Sequence, residues 1–308
     1  MLRHALVILG IGCGGSSAAI DAPESPEPDT DSPPVIDAAV TCAPFATCTW
    51  LDELQHRIVG SLAGEREIAP GLTITHRASA SEREATRVFL IAELEALGFA
   101  PTRHGYTTGA NVIATLAATE GSGGTIIVGA HFDGVPQGPG AADNATGVAI
   151  VLAAAAYLRD VPVRRHPVVF ALFDEEELGL LGSKAYARSV KTAGTTVTGV
   201  HVFDMLSFDG DGDHAVELWS PSPALATAYE AGGVTGSMPI SSVTFSRSDH
   251  QAFLDAGFPA VGVGEEFVGG DHTPDYHMAS DSIDKVSFAH LALVTNLAFA
   301  VLETTVAE

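Results

Sequence analysis

Acidic and imidazole side chains directly follow two apolar runs of this sequence. The run Thr125–Ala130 leads into His131 and Asp133, and the run Phe170–Phe173 leads into four consecutive acids, Asp174–Glu177. An imidazole with a carboxylate two residues later suits a metal ligand whose other ring nitrogen is oriented by the acid. Four acids at the end of a buried strand repel one another unless cations lie nearby. The pattern therefore predicts a site for divalent metal.

Three more candidate ligands stand at comparable positions. Asp143 lies in a glycine-bounded turn before a helix, Asp204 follows the run Val200–Phe203, and His277 precedes Asp281 by four residues. Each has a structural alternative, since an aspartate in a turn is also a favoured helix cap. Together these residues supply two imidazoles and at least three carboxylates, a set that suits two divalent ions.

Adjacent glutamates permit a division of roles at such a site. Of Glu176 and Glu177, one can bind metal while the other stays uncoordinated and accepts a proton from an activated water. A run of acids is more commonly a solvated surface. The position directly after a buried strand is what favours the catalytic interpretation here.

The elements that must position these residues alternate between strands and helices. Ser81–Glu84 is a capping-box sequence and predicts a helix that ends at Gly98. Apolar runs predict strands over Asn111–Leu116, Thr125–Ala130, Pro167–Phe173, Gly199–Phe203 and Pro259–Val263. Helices are predicted over Ala145–Leu158, Gly179–Val190, Pro221–Gly232, Ser248–Ala256 and Phe288–Val301. We expect an α/β fold, a three-layer sandwich with a mostly parallel central sheet flanked by helices, and ligands at the carboxyl ends of its strands.

The N-terminal segment is typical of an exported protein. A short basic start and an apolar run too short to span a bilayer predict a signal peptide or lipoprotein signal over residues 1–20. Cys13 follows small residues, as in bacterial lipoprotein signals, which leaves membrane attachment through a lipidated Cys13 and simple secretion both open. Residues 21–41 are rich in Pro, Asp, Glu and Ser and predict a disordered linker, and residues 42–308 predict one folded domain.

Composition and charge restrict the class of protein further. The chain has 308 residues, of which 46% are hydrophobic and 17% charged, so most of it can form a core. Lys and Arg number 15 against 38 Asp and Glu, for a net charge of −23. Nucleic acid is therefore excluded as a partner, because phosphate binding depends on clustered cations. Cys42 and Cys48 predict a small-loop disulfide.

Some polar residues lie outside these motifs. The turn Asp209–Asp213 alternates acids with glycines like part of a calcium loop, but it lacks the remaining spaced ligands and the terminal glutamate. We interpret it as a polar turn. His201, His214 and His290 belong to no motif, which predicts core or surface roles for them.

The motifs resemble, in order, those of the co-catalytic di-zinc metallopeptidase family, which includes bacterial leucyl-type aminopeptidases, glutamate carboxypeptidases and glutaminyl cyclases. Each motif is weak alone, and their order over most of the folded chain makes the resemblance specific. The motifs are His131-x-Asp133, Asp143-Asn144-x-x-Gly147, Glu176-Glu177-x-Gly179, Asp204-Met205 and His277-x-x-x-Asp281. The resemblance implies a zinc exopeptidase-like fold and a peptidase catalytic domain over residues 42–308.

The resemblance also implies a metal-binding role for five residues. One zinc ion would be held by His131 and Asp204, and the other by Glu177 and His277. Asp143 would bridge the two ions. Manganese or cobalt can occupy the same donor set.

Other roles are implied for residues around the metals. Glu176 would be the general base, and Asp133 would act in catalysis by orienting a metal-binding imidazole. Asp249 and His250 belong to a Ser-Asp-His turn that would lie beside the substrate pocket. Phe245 stands near the position where several relatives have a tyrosine that polarises the substrate carbonyl, so that donor is unassigned.

The resemblance implies an exported aminopeptidase that removes N-terminal residues from peptides, with Glu176 as base for a water activated by both zinc ions. A glutaminyl-cyclase-like acyl transferase and a di-zinc carboxypeptidase are the alternatives. A non-catalytic binding module on a peptidase scaffold is a third hypothesis, disfavoured because such a protein has no use for an uncoordinated base. Specificity for terminus and side chain, and the oligomeric state, stay open.

Overall fold

The computed structural model describes residues 48–121 and 123–308, and in this part of the chain one sheet lies between two layers of helices. The predicted signal and linker, with Cys13 and Cys42, lie outside the described residues. Cys48 is disulfide-bonded.

The sheet has eight strands in the order β1-β2-β4-β3-β5-β8-β6-β7. The neighbours β4, β3, β5 and β8 are parallel, as predicted, whereas β1, β2 and β6 pair antiparallel with the strand next to them, so the whole sheet is mixed. Strands β6 and β7 run parallel to each other. The strands are β1 Thr102–Gly105, β2 Ala110–Leu116, β3 Thr125–His131, β4 Val168–Phe173, β5 Val197–Phe203, β6 Val216–Trp219, β7 Ile240–Val243 and β8 Ala260–Gly264.

Helices cover both faces of the sheet. The helices are α1 Thr49–Leu62, α2 Ala80–Ala96, α3 Thr146–Asp160, α4 Leu181–Thr192, α5 Pro223–Gly236, α6 His250–Ala256 and α7 Phe288–Ala307. Apolar residues of α1, α2, α3, α5 and α7 form the core on one face, and those of α4 and α6 form the core on the other. The predicted three-layer architecture is confirmed.

The start of α2 differs from its prediction. The N-cap is Ser79, two residues before the expected Ser81: Ser79 Oγ accepts from the Glu82 N–H at 3.3 Å and donates to Glu82 Oε2 at 2.7 Å. The Ser81–Glu84 assignment was wrong because both serines fit the same pattern of residue types. Glu84 instead contacts Arg87 and Arg103 on the surface.

Helix α3 is the central helix of the core. Its residues from Thr146 to Leu158 are all buried, and many are alanines, which lets the helix approach its neighbours closely. The segment Ala141–Asp160 and helix α7 are each long and apolar enough to span a membrane by length and composition. Because the first is wholly buried and the second mostly buried within this domain, we interpret both as core helices.

The parallel strands bring the predicted ligands to one edge of the sheet. Strands β3, β4 and β5 end at His131, Phe173 and Phe203, so Asp174–Glu177 and Asp204 emerge side by side. In open α/β sheets ligands bind beyond this edge, at the carboxyl ends of the strands.

Gly147 in the first turn of α3 lets that helix pack directly against the end of β5. A Cβ added there would lie 2.3 Å from the Phe203 carbonyl oxygen and 2.4 Å from Asn144 Oδ1. The glycine is therefore required for the approach of α3 to the loop that carries Asp204.

We expect Gly147→Ala to lower the free energy of unfolding by about 1–3 kcal/mol, because the added methyl group forces backbone to move. Gly105→Ala is the control, since a Cβ there meets nothing within 4 Å, and it should change stability by less than about 0.5 kcal/mol. Urea unfolding of both variants measures the difference. Equal stabilities would contradict the tight packing inferred at Gly147.

Candidate metal centre and active site

Three of the predicted ligands converge at the end of β3. The Nε2 atom of His131 lies 3.3 Å from Asp143 Oδ1 and 3.3 Å from Asp204 Oδ1. All three side chains are buried. His131, Asp143 and Asp204 thus form one group of donors that point at a common space.

A second group lies beside the first and shares Asp143 with it. His277 Nε2 is 3.1 Å from Asp143 Oδ2 and 3.1 Å from Glu177 Oε2. Since the two oxygens of Asp143 face different imidazoles, this carboxylate stands between the two groups. The structure brings all five sequence-predicted ligands together.

The donor set fits a pair of zinc ions. With zinc–ligand bonds of 2.0–2.2 Å, tetrahedral ligand atoms lie roughly 3.3 Å apart, which is close to the separations in both groups. Each group combines imidazole nitrogen with carboxylate oxygen, the chemistry that zinc prefers. Glu177 Oε1 is buried without a hydrogen-bond partner among the described residues, which leaves it available as a ligand atom.

Glu176 lies on the same cavity as the two donor groups. It also falls in a third group with His131 and Glu177, so both glutamates reach the metal-binding space, and Glu177 forms a further group with Asp143 and His277. Burial raises the pKa of the Glu176 carboxyl well above its usual range; His131 opposes the shift, and Asp249, Asp204 and Glu177 add to it. This carboxyl can exchange a proton with bound substrate or water.

Asp133 holds the two glutamates in place through their backbone. Its Oδ1 accepts from the Glu176 N–H at 3.0 Å and its Oδ2 from the Glu177 N–H at 3.1 Å. The same Oδ1 lies 3.4 Å from Nδ1 of His131. Asp133 therefore contacts both the predicted metal-binding imidazole and the segment of the predicted base.

Asn144 and Ser248 position the loops that carry two of the aspartates. Asn144 Nδ2 donates to the Phe203 carbonyl at 2.9 Å, and its Oδ1 accepts from the Gly147 N–H at 2.8 Å, so the Asp143 turn is tied to the end of β5. The buried Ser248 hydroxyl donates to Asp204 Oδ2 at 2.7 Å and so fixes that carboxylate. The sequence motif that contains Ser248 was assigned to the substrate pocket, and its contact with Asp204 was not predicted.

Two charged residues outside the donor groups secure the turn before α3. Arg77 is fully buried and donates to the carbonyl groups of Phe132, Pro139 and Gly140 at 2.6–2.8 Å. Asp281 accepts from the backbone N–H groups of Ala142 and Asp143 at 2.7 and 3.1 Å. Asp281 thus stabilises the Asp143 turn.

The four consecutive acids divide into two pairs with different partners. Asp174 forms ion pairs with Arg83 Nε at 2.8 Å and with Arg87 Nη2, and Glu175 Oε1 accepts from Arg83 Nη2 at 2.8 Å. Both arginines belong to α2. The remaining pair, Glu176 and Glu177, faces the space between the candidate metal ligands. The cations predicted for the upstream pair are therefore two arginines, and bound metal would supply them for the other pair.

An open cavity lies beside the donors. Trp219, Phe245 and Phe267 also line it, and the Arg247 guanidinium stacks over the rings of Phe245 and Phe267 at 5.1 and 5.4 Å from their centroids. The wall is therefore mainly aromatic with one cation. Such a surface accepts an apolar group and leaves room for one negative charge.

Tyr276 also lines the cavity, and sequence reasoning missed it. Its ring stacks on His277 at 3.8 Å between centroids. The sequence feature that could have indicated it is its position directly before the predicted ligand His277. Phe245, which stands near the position where several relatives have a tyrosine, carries no hydroxyl.

The predicted substrate contacts Asp249 and His250 are fully buried and do not line this cavity. His250 Nε2 lies 2.9 Å from the Phe245 carbonyl oxygen, and burial raises the pKa of Asp249 to about 7. Both lie behind the cavity surface next to Ser248, so the geometry does not support direct contact with a substrate.

Comparison with known proteins places this arrangement in a family. Residues 111–302 match peptidase family M28. The match spans more than half of the chain and includes every donor in the two groups. The chain belongs to this family.

Curated relatives are named as aminopeptidases. The chain is 30% identical over 214 residues to the probable lipoprotein aminopeptidase LpqL of Mycobacterium tuberculosis, a match that covers 59% of this chain and 43% of that protein. It is 30% identical over 194 residues to aminopeptidase YwaD of Bacillus subtilis, covering 57% of this chain and 40% of that protein. The chain spans less than half the length of these relatives.

Solved structures share the fold. BSAP, a zinc aminopeptidase from Bacillus subtilis, is 25% identical with a TM-score of 0.58 and covers 64% of this chain and 50% of its own. Legionella pneumophila LapA aminopeptidase is 19% identical with a TM-score of 0.71, covering 84% of this chain and 75% of its own. Fimbriiglobus ruber glutaminyl cyclase is 23% identical with a TM-score of 0.67, covering 84% and 97%. The last two comparisons bear on the fold alone.

The ion pairs of Asp174 and Glu175 with arginines of α2 should contribute to the stability of the fold. Arg87→Met should lower the free energy of unfolding by about 3 kcal/mol, because it leaves the buried Asp174 carboxylate without one of its two cations. Arg103→Met is the matched control: Arg103 also pairs with Glu84, but both groups are about half exposed, so its loss should cost less than about 1 kcal/mol. Denaturant unfolding compares the two, and similar losses would contradict the role assigned to Arg87.

Proposed function

We propose that this chain is a zinc-dependent aminopeptidase that uses two zinc ions. The observation that carries the proposal is the pair of donor groups sharing Asp143 on a cavity that also contains Glu176. Membership of peptidase family M28 and the names of the curated relatives support it.

The five donors would hold the ions as two sites with a common ligand. His131 and Asp204 would bind one, Glu177 and His277 the other, and Asp143 would bridge them; manganese or cobalt suits the same donors. Zinc in such a site lowers the pKa of water towards neutrality and polarises a carbonyl group.

Glu176 supplies the proton transfers. Its carboxylate accepts a proton from the water that attacks the scissile carbonyl and later returns it to the leaving amine. The backbone contacts of Asp133 with Glu176 and Glu177 keep the base beside the donor groups while it changes charge. Water, base and carbonyl thus meet at one point of the cavity.

Tyr276 supplies a hydrogen bond to the substrate carbonyl. A phenol keeps its proton at neutral pH and can donate to the oxygen on which negative charge develops. The ring stacks on His277, and Tyr276 lines the cavity that also contains Glu176, which supports this role.

The aromatic wall favours an apolar side chain at the N-terminal residue of the substrate. Trp219, Phe245 and Phe267 provide this surface, and the acids around the donors favour the substrate's ammonium group. Leucine-type residues fit this environment best.

A di-zinc carboxypeptidase is the second candidate, and Arg247 is the observation that favours it. A guanidinium on the cavity wall suits a substrate carboxylate. Glutaminyl cyclization is the third, on the fold likeness alone. The discriminating assay offers the full chain leucine p-nitroanilide, an N-blocked peptide with a free carboxyl end, and an N-terminal glutaminyl peptide, each with zinc and with chelator. Turnover of the second or third substrate without the first would overturn the aminopeptidase proposal.

Export to the cell envelope or medium forms part of the proposal. It is supported by the basic and apolar start of the sequence with Cys13, and by a relative whose name describes a lipoprotein. Mass analysis of the mature N-terminus tests it, because a signal peptide shortens the chain and lipidation adds acyl mass at Cys13.

Glu176→Gln should lower kcat for leucine p-nitroanilide by about 10²–10⁴-fold, since the amide cannot accept the proton. Its metal content should equal that of the wild type. Glu177→Gln is the matched control, because it should lose metal as well as activity. Loss of metal in the Glu176 variant would show that Glu176 is a ligand and would contradict its role as base.

Tyr276→Phe should lower kcat by about 10²-fold with little change in KM, because only the hydrogen bond to the developing oxyanion is lost while the ring stack remains. Steady-state kinetics on leucine p-nitroanilide separate the two constants. A rise in KM with unchanged kcat would assign Tyr276 to ground-state binding instead.

A further inference from the structure

A separate group of metal-binding side chains lies away from the catalytic cavity. Asp209 and His214 stand in the loop between β5 and β6, and His290 lies in the first turn of α7. Their potential ligand atoms all lie within 4.8 Å of one another. None of the three lines the catalytic cavity.

The geometry centres on one carboxylate oxygen. His214 Nδ1 lies 2.5 Å from Asp209 Oδ2 in a direct hydrogen bond, which a bound ion would replace, and His290 Nδ1 lies 3.8 Å from the same oxygen. The second distance is too long for a hydrogen bond. It is close to the roughly 3.3 Å that separates two ligands of a tetrahedral ion.

The buried ring of His290 lacks a hydrogen-bond partner within the part of the chain that the structure describes, which points to a bound ligand. Its side chain is 1% exposed, and neither ring nitrogen has a hydrogen-bond partner among the described residues. A buried polar group without a partner is costly, and native structures nearly always satisfy it. An ion bound through Nδ1 would satisfy the nitrogen that faces Asp209.

We propose that Asp209, His214 and His290 bind a divalent transition-metal ion of the zinc class. Two imidazoles with one carboxylate favour such an ion over calcium, which takes oxygen ligands. The site leaves a fourth position for water and needs no group of the catalytic centre, so the inference does not rest on the proposed function.

The neighbouring acids have other partners but strengthen the attraction for a cation. Asp271 Oδ2 accepts from the N–H groups of Gly210 and Asp211 at 2.8 and 3.2 Å. Asp213 Oδ1 accepts from the Ala215 N–H at 2.7 Å. These contacts agree with the interpretation of this segment as a polar turn, and the acids place negative charge around the three donors.

Bound metal would join the β5–β6 loop to the start of α7. The two are already linked where the Ser287 N–H donates to the Ser207 carbonyl at 2.9 Å. Ser207 lies between the catalytic donor Asp204 and Asp209. The ion would therefore fix the far end of a loop whose near end enters the catalytic centre.

The test counts zinc in the purified full chain. After equilibration with zinc and removal of excess, His214→Ala should bind one zinc ion fewer per chain than the wild type. His56→Ala is the matched control, because His56 is also exposed and lies 3.3 Å from an aspartate, Asp52. It should bind as much zinc as the wild type.

A second variant guards against loss of the fold. His290→Phe fills the buried volume without a ligand atom and should also lose one zinc ion, with an unchanged circular dichroism spectrum. Because the zinc content of each variant is compared with that of the wild type, the test does not depend on how many ions the catalytic site binds. Glu177→Gln, which alters only that site, reports failure of the proposed function separately.

Two outcomes would overturn the inference. One is equal zinc content in the wild type, His214→Ala and His290→Phe. The other is that the protein binds calcium instead of zinc, and that this binding is lost in Asp211→Asn or Asp271→Asn but kept in His214→Ala. Such a result would place the ion at the all-oxygen group of Asp209, Asp211 and Asp271, next to the histidines.

Discussion

Many carboxylates are buried at one edge of the sheet, and the fold depends on compensation of their charges. Asp133, Asp174 and Glu175 are 2% exposed or less, and Asp143 and Asp204 are 5% exposed. Charges so close together in a poorly solvated space destabilise the fold unless each is compensated. Arginines of α2 compensate the upstream acids, backbone N–H groups compensate Asp133, and only the carboxylates that face the cavity are left for metal ions.

Hydrogen bonds also hold the loop residues of the site in position. The Asp143 turn is held by Arg77 through its carbonyl groups, by Asp281 through its N–H groups and by Asn144 through the end of β5. Ser248 holds the Asp204 carboxylate from the opposite side. The Asp143 turn and the Asp204 carboxylate are thus held by hydrogen bonds that do not involve a metal, which keeps these two ligands in position before an ion arrives.

Sequence reasoning succeeded where residue type and strand position coincide. His131 and Asp204 follow long apolar strands, and such strands are easily found because both faces are buried. It missed β1, β6 and β7, which are four residues long, and β1 (Thr-Arg-His-Gly) has no apolar side chain at all. It missed Arg77 as well, because that side chain contacts carbonyl groups from segments up to 66 residues away, which no local pattern encodes.

The loop from Asp204 to His214 connects the donor groups that share Asp143 to the separate group of Asp209, His214 and His290. Its first part is fixed by Glu265, a buried acid that accepts from the N–H groups of Ser207 and Phe208 at 3.0 and 2.9 Å, and from Thr273 at 2.9 Å. A carboxylate with three donors is a rigid support. Beyond Phe208 the loop turns to the surface, where Asp209 meets the buried His290. An ion at that point would complete the support that Glu265 begins, because the chain between Asp204 and α7 would then be held at both ends.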